Sequence, residues 1–265
     1  MLEKDVVYED IRYAVEDAVA TITIDRPEVL NAFRGRTLEE MIHALNRAGW
    51  DDSIGVIVLT GAGEKAFCTG GDQKAHDGSY DGRGIIGLPV EEVHATIREV
   101  PKPVIARVQG YAIGGGNVLA TVCDLTIASE NAIFGQVGPK VGSVDPGYGT
   151  AFLARAVGEK RAREIWYLCR RYTAEQALAM GLANSVVPRE DLDREVRQWC
   201  DEILAASPTA IAIAKRSINA DTEHIRGIAA QGFQTLKLFY ETEESREGVR
   251  AFNEKRKPDF RKRST

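Results

Sequence analysis

The stretch Gly110-Tyr111-Ala112-Ile113-Gly114-Gly115-Gly116 ends in three consecutive glycines and follows Pro103–Val108, an apolar run typical of a buried strand. A second glycine loop, Phe67–Gln73, follows another such run, Gly55–Thr60. Glycine lets the backbone turn sharply and lets a ligand approach the N–H groups closely. Two loops of this kind, brought together, can direct one N–H each at a single oxygen, as an oxyanion hole requires. The pair therefore indicates chemistry on a carbonyl whose oxygen becomes an anion.

The triple glycine also stands where we predict the start of a helix, over residues 116–123. A helix N-terminus has free N–H groups and the positive end of the helix dipole, and both favour an anion. For one loop alone a tight turn would be the simpler interpretation, because glycine clusters are common in turns. The occurrence of two such loops favours a functional role. The spacing does not match the Gly-x-Gly-x-x-Gly fingerprint of dinucleotide binding.

Composition places limits on the class of protein. With 265 residues, 44% of them hydrophobic, the chain fits one globular domain. The net charge of -5 gives no reason to expect nucleic acid or an anionic membrane as a partner. No apolar run reaches the roughly 18 residues of a membrane span, and the N-terminus does not resemble a signal peptide. The four cysteines and four histidines show no metal-ligand spacing, so we expect reduced thiols, no metal site and a cytoplasmic protein.

Strands alternate with helices in the first part of the chain, which predicts an α/β fold. Two strands joined by a turn are predicted within residues 11–25, and a Thr-x-x-Gln capping box at Thr173 predicts a later helix start. We therefore predict an α/β core over residues 1–190 and a helical C-terminal region over 191–265 that serves assembly. The helices predicted near the end of the chain cover 189–206, 208–219, 223–241 and 243–255.

Asp145 is the main candidate for acid–base chemistry. Because Pro146 follows it, Asp145 could cap a helix, or it could be a general base near the oxyanion hole; the sequence leaves both open. Ser143, two residues earlier, could donate a hydrogen bond to a second substrate oxygen. Tyr80 and Tyr240 are phenols that can polarise a ketone, although an isolated tyrosine more often serves packing.

Three motifs together resemble the crotonase (enoyl-CoA hydratase/isomerase) superfamily: Gly70-Gly71-Asp72, the loop at 110–116, and Phe134-Gly135-Gln136. The resemblance covers nearly the whole chain. It implies a spiral of repeated ββα units, a helical C-terminal trimerisation region and a homo-hexamer formed from two trimers. It also implies an acyl-CoA thioester substrate, no required cofactor, and an enolate held by the N–H groups of Gly71 and Gly115.

The departures from the family pattern narrow the expected reaction. Hydratases of this family carry two catalytic glutamates, whose positions correspond here to Val118 and Gly138, so simple hydration of an enoyl-CoA is not expected. The run 138–147 instead resembles a branch that opens or closes rings next to the thioester. Residues 31–35, 76–84 and 144–148 are similar to the 2-ketocyclohexanecarboxyl-CoA hydrolases within that branch. The 1,4-dihydroxy-2-naphthoyl-CoA synthases are the next most similar group.

The resemblance to the hydrolases implies a retro-Dieckmann cleavage that yields pimeloyl-CoA from the simple ring. Asp145 would activate water, and Tyr240, Tyr80 or Ser143 would donate to the developing alkoxide. Ring closure by a naphthoyl-CoA synthase remains an alternative, as does a CoA-binding relative without catalytic activity.

The resemblance also implies a set of CoA contacts and a possible anion site. In the synthases, Gln136, Gly138 and Trp166 match positions that hold a bicarbonate in place of a missing glutamate, so bicarbonate stays open here. Phe252 and Lys255 would come from a neighbouring subunit. The full set of residues implied to bind CoA is Ala32, Thr69, Gly70, Asp72, Gln73, Tyr111, Gly114, Val137, Phe252 and Lys255.

Overall fold

The structure, a computed structural model, describes residues 6–73 and 82–261. Tyr80 therefore lies outside the described residues, and its predicted role remains a prediction. The strands and α-helices are, in chain order, β1 (Ile11–Glu16), β2 (Val19–Ile24), α1 (Gly35–Gly49), β3 (Val56–Gly61), β4 (Ala66–Cys68), α2 (Val90–Glu99), β5 (Val104–Val108), β6 (Tyr111–Ile113), α3 (Gly115–Val122), β7 (Leu125–Ser129), β8 (Ile133–Gly135), α4 (Leu153–Val157), α5 (Glu159–Leu168), β9 (Arg171–Thr173), α6 (Ala174–Ala179), β10 (Ser185–Val187), α7 (Leu192–Leu204), α8 (Pro208–Ala220), α9 (His224–Tyr240) and α10 (Glu243–Asn253).

A six-stranded sheet in the order β1-β2-β3-β5-β7-β10 forms the centre of the molecule. The predicted strand pair is confirmed: β1 and β2 form an antiparallel hairpin, and the other neighbours pair in parallel. Asp17 and Ala18 in the hairpin turn both have positive φ, as turns that match the twist of two strands require. Every residue of β3 is buried, because α1 and α7 provide the two apolar clusters between which the sheet lies.

A second sheet, in the order β4-β6-β8-β9, was missed by the sequence prediction. Its strands are three residues long, too short to show an alternating pattern. A strand of the first sheet is followed by one of the second and then by a helix in β3-β4-α2 and again in β5-β6-α3. The repeated ββα unit is therefore confirmed. Because β4 and β6 are parallel neighbours, the two glycine loops that follow them lie side by side.

The C-terminal helices fold back onto the core. The predicted helices at 208–219, 223–241 and 243–255 correspond to α8, α9 and α10. Ser245 Oγ of α10 donates to the Gly142 carbonyl over 2.7 Å, and a side chain at Gly248 would overlap the Gly142 amide nitrogen. This close contact places α9 and α10 against the segment that carries Asp145. The division at residue 190 and the role of 191–265 in assembly stay predictions. None of the helices in the described ranges is long and apolar enough to cross a membrane.

Candidate active site

A cavity of about 520 Å³ lies between the two glycine loops and the C-terminal helices. All of the predicted site residues in the described part of the chain line this cavity, with the exception of Lys255. Its walls also include buried apolar side chains such as Ile86, Leu88 and Phe233. The predicted residues that line it are Ala32, Thr69, Gly70, Gly71, Asp72, Gln73, Tyr111, Gly114, Gly115, Gln136, Val137, Gly138, Ser143, Asp145, Trp166, Tyr240 and Phe252.

The two glycine loops are in direct contact. Gly70 has φ +89°, and a Cβ atom there would lie 2.8 Å from the Gly115 nitrogen. A Cβ atom at Gly116 would overlap the carbonyl oxygen of Cys68, at the end of β4. Glycine is therefore needed at these positions for α3 to begin directly beside the first loop.

The two predicted oxyanion donors are available to the cavity. The Phe33 N–H donates to the Gly70 carbonyl over 2.8 Å, and the Asp72 N–H donates to the Phe33 carbonyl over 2.9 Å. Gly71 lies between these bonds, and its own N–H has no acceptor among residues 6–73 and 82–261. The Gly115 N–H belongs to the first residue of α3, where the helix offers no acceptor. The geometry therefore fits two backbone donors for one oxyanion.

Asp145 combines the two roles that the sequence left open. The helical turn after it begins at Tyr148 rather than at Pro146, and the Gly149 N–H donates to Asp145 Oδ1 over 2.7 Å. Burial raises the pKa of Asp145 from 3.8 to about 7; the Gly149 bond lowers that pKa and the charge of Glu91 raises it further. The carboxyl group thus caps a turn with one oxygen, lines the cavity and can exchange a proton near neutral pH.

Ser143 and Tyr240 form a hydroxyl pair beside Asp145. Their oxygens are 2.7 Å apart, and Tyr240 is the last residue of α9. Burial raises the Tyr240 pKa to about 12, the hydrogen bond with Ser143 lowers it, and the charge of Asp145 raises it. Tyr240 is therefore a neutral phenol, able to donate, at the pH at which Asp145 changes protonation.

Asp145 is also the only carboxyl group that is at least partly buried and has no ion-pair partner among the described residues that line the cavity. Glu28 is exposed at its edge, and Asp72 accepts a hydrogen bond from Arg26 Nη2 over 3.0 Å. Val118, which the resemblance places at the position of a hydratase glutamate, is fully buried. The acid–base chemistry of this cavity therefore falls to Asp145.

Several residues predicted to bind CoA also hold the loops in place. Thr69 Oγ1 donates to the Leu30 carbonyl over 3.2 Å, and the Asp72–Arg26 pair ties the first glycine loop to the segment after β2. Phe252 lines the cavity of its own chain because α10 folds back onto the core. Its predicted contribution from a neighbouring subunit stays a prediction. Lys255 is exposed beyond α10 and does not line the cavity.

The three residues that the resemblance implies for a bicarbonate site differ in their hydrogen bonding. Gln136 is 3% exposed, and its Nε2 has no hydrogen-bond partner in the described part of the chain. Gly138 lines the same part of the cavity, and its carbonyl accepts a bond from the Ser143 N–H over 2.9 Å. The Trp166 indole N–H donates to the Gly149 carbonyl. A small anion therefore finds one buried donor at Gln136, while the Trp166 donor is already used.

Three further residues contribute to the site and were not identified from the sequence. The Phe33 ring lies 2.7 Å from where a Gly115 Cβ would be, so it closes one side of the oxyanion hole. Arg171 lines the cavity with its guanidinium carbon 5.3 Å from the centroid of the Tyr111 ring. Glu91 acts electrostatically on Asp145. Arg171 lies in a strand too short to detect, and the role of Glu91 depends on helix packing.

Comparison with known proteins agrees with this geometry. The sequence model of the enoyl-CoA hydratase/isomerase family matches residues 14–263. An enoyl-CoA hydratase from Mycobacterium avium subsp. paratuberculosis is 30% identical with a TM-score of 0.85, and the alignment covers 96% of this chain and 99% of that one. A Magnetospirillum magneticum enoyl-CoA hydratase/carnithine racemase is 31% identical with a TM-score of 0.76, covering 96% of both chains. A Bacillus anthracis enoyl-CoA hydratase is 30% identical with a TM-score of 0.74, covering 95% and 98%.

Proposed function

The chain belongs to the enoyl-CoA hydratase/isomerase (crotonase) family, whose members act on CoA thioesters, and we propose that it hydrolyses the ring of a cyclic β-keto acyl-CoA. The proposed substrate is of the 2-ketocyclohexanecarboxyl-CoA type, and the product of the simple ring is pimeloyl-CoA. The observation that carries the proposal is the group of Asp145, Ser143 and Tyr240 in one cavity with the two glycine loops. The positions of the hydratase glutamates hold valine and glycine instead.

The reaction follows from the chemistry of these groups. Asp145 takes a proton from water, whose oxygen attacks the ring ketone. The Tyr240–Ser143 pair donates a hydrogen bond to the resulting alkoxide. When the alkoxide collapses, the bond between the former ketone carbon and the α-carbon breaks, and its electron pair forms the thioester enolate. The Gly71 and Gly115 N–H groups hold the enolate oxygen until the α-carbon takes up a proton.

The raised pKa of Asp145 suits both of its proton transfers, from water and to the α-carbon. With a pKa of about 7, the carboxyl group is a stronger base than an ordinary aspartate and can return its proton to the α-carbon. Loss of one donor from an oxyanion hole typically costs about 3–4 kcal/mol, which makes the glycine pair a large contribution to the rate. Apolar walls such as Ile86 and Leu88 limit access of water to the enolate.

The test is incubation of the protein with 2-ketocyclohexanecarboxyl-CoA in ¹⁸O-labelled water, with mass spectrometry of the thioesters. We expect pimeloyl-CoA with one labelled oxygen in its free carboxyl group. Crotonyl-CoA serves as the control for ordinary hydration and is expected to remain unchanged. Hydration of crotonyl-CoA with no ring opening would overturn the proposal.

Ring closure by a naphthoyl-CoA synthase is the second candidate function, and the buried amide of Gln136 favours it. If bicarbonate binds, Gln136 and Gly138 would hold it, and it would supply a base where the hydratase glutamate is missing. The test is o-succinylbenzoyl-CoA with and without added bicarbonate. A naphthoyl chromophore that depends on bicarbonate would support this function, whereas turnover of neither thioester alongside tight CoA binding would indicate a non-catalytic relative.

We also propose that the protein forms a homo-hexamer of two trimers. Three large apolar side chains of the C-terminal helices, Ile213, Ile218 and Leu238, are 65%, 70% and 66% exposed in the single chain, and contact between copies would cover such side chains. Light scattering after size exclusion is expected to give six times the chain mass of 29.1 kDa. A monomer at micromolar concentration would contradict this assembly.

A further inference from the structure

One face of α2 runs along the segment that begins with Asp145. The His94 ring contacts the Tyr148 ring edge-on, with 5.3 Å between centroids. One turn later, the Arg98 guanidinium carbon lies 4.6 Å from the centroid of the Phe152 ring. Residues 94 and 98 thus contact residues 148 and 152 in the same order, so α2 and this segment run side by side in the same direction. Because residues three and four apart share a face of a helix, position 91 belongs to this face, one turn earlier.

Glu91 therefore lies in the first turn of α2 on the face directed to the start of the segment, where Asp145 is found. Its Oε1 accepts a hydrogen bond from the Ile85 N–H over 3.0 Å. Its Oε2 is buried and has no hydrogen-bond partner among the described residues. A charge on Glu91 is therefore only partly compensated, because the Ile85 N–H is its one hydrogen-bond donor among the described residues and Oε2 is shielded from water.

We propose that Glu91 is a positioning residue that acts through Asp145: a second carboxyl group on the adjoining face of α2 disfavours the ionised form of Asp145 and so moves the onset of catalysis to higher pH. The kinetic part of this inference rests on the proposed function, in which ionised Asp145 is the base. The electrostatic part depends only on the positions of the two carboxyl groups.

The other titratable groups around the pair do not replace this effect. Burial lowers the pKa of His94 to about 3, so it is neutral, and Tyr148 and Tyr240 have pKa values raised by burial. Arg83, on the segment before α2, forms ion pairs with Glu39 and Glu92 at the surface. Arg98 stacks on the rings further along α2. Burial is the larger cause of the raised Asp145 pKa, and Glu91 is the charged group that adds to it.

The first test is the pH dependence of kcat/KM for Glu91→Gln. Glutamine retains an acceptor for the Ile85 N–H but removes the charge. We expect the acid limb of the profile to move down by about 0.5–1 pH unit, with little change in the plateau. The matched control is Glu92→Gln, the neighbouring carboxylate that pairs with Arg83 at the surface, for which the pH profile is expected to stay in place. An unshifted limb in Glu91→Gln would overturn the inference.

The second test needs no turnover. The effect of Asp145→Asn on the free energy of unfolding is measured between pH 5 and pH 8.5, once in the parent and once in Glu91→Gln. In Glu91→Gln, we expect the midpoint of the pH dependence of this stability effect to lie about 0.5–1 pH unit lower than in the parent. Equal midpoints would overturn the inference even if ring opening is observed. A shifted midpoint without turnover of any thioester would support Glu91 coupling while contradicting the proposed function.

Discussion

The raised pKa of Asp145 predicts that replacing this carboxyl group by a neutral amide stabilises the protein at high pH. Asparagine has nearly the same shape and can still accept the Gly149 N–H bond through its oxygen. Asp145 contributes fully to stability below its unfolded pKa near 3.8, and that contribution is lost as pH rises through about 7. We therefore expect Asp145→Asn to be more stable than the parent at pH 8.5 and to lose this advantage toward pH 4.

The size of the effect follows from the two pKa values. One pKa unit corresponds to about 1.4 kcal/mol, so the interval from 3.8 to about 7 gives an upper limit of about 4 kcal/mol. The carboxyl group reaches the solvent of the cavity, which reduces the cost of its charge. We therefore expect the stability of Asp145→Asn relative to the parent to change by about 2 kcal/mol between pH 4 and pH 8.5.

The assay is urea unfolding of both proteins at several pH values, with the difference in unfolding free energy plotted against pH. The contributions of titrating groups that do not couple to Asp145 cancel in that difference. Asp221→Asn, at an exposed carboxylate paired with Arg155, is the control and is expected to give no gain at high pH. A gain that does not change with pH, or a loss at pH 8.5, would refute the interpretation of a buried, proton-retaining carboxyl group.

Three other predictions concern rate and packing. The kcat/KM of the parent is expected to rise with pH through about 7 because Asp145 must be ionised, and a flat profile between pH 5 and pH 8 would contradict its role as base. Gly116→Ala is expected to lower stability by about 1–3 kcal/mol because the added methyl group meets backbone atoms. The control, Gly227→Ala in an open part of α9, is expected to stabilise by up to about 1 kcal/mol. Equal melting temperatures of the two variants would contradict this prediction. Tyr240→Phe removes the donor bonded to Ser143 and is expected to lower kcat about 10- to 100-fold with KM nearly unchanged, and an unchanged kcat would exclude the phenol from the reaction.

Much of the fold could be predicted because its largest elements carry strong local patterns. The hairpin of β1 and β2, the amphipathic helix α1 and the C-terminal helices have either β-branched alternation or a helical apolar stripe. The start of α3 at Gly115 was predictable because three glycines follow a strand. The second sheet was not, since its three-residue strands are held together by neighbours distant in sequence.

The site residues that were predicted have distinctive local sequences, whereas those that were missed reach the site through contacts between distant parts of the chain. Gly71, Gly115 and Asp145 stand in unusual local sequences, and the structure brings them to one cavity. Arg171 and Glu91 have ordinary local sequences. Arg171 reaches the cavity through the pairing of β9 with β8, and Glu91 through the packing of α2 on the segment after Asp145.

The backbone of Gly149 connects the carboxyl group of the site to an intrinsic chromophore. Its N–H donates to Asp145, and its carbonyl accepts from the indole of Trp166, which is 6% exposed. Of the other two tryptophans, Trp50 is 66% exposed and Trp199 donates to Glu195. Emission of Trp166 can consequently report the ionisation of Asp145 in the resting protein, without substrate or added label.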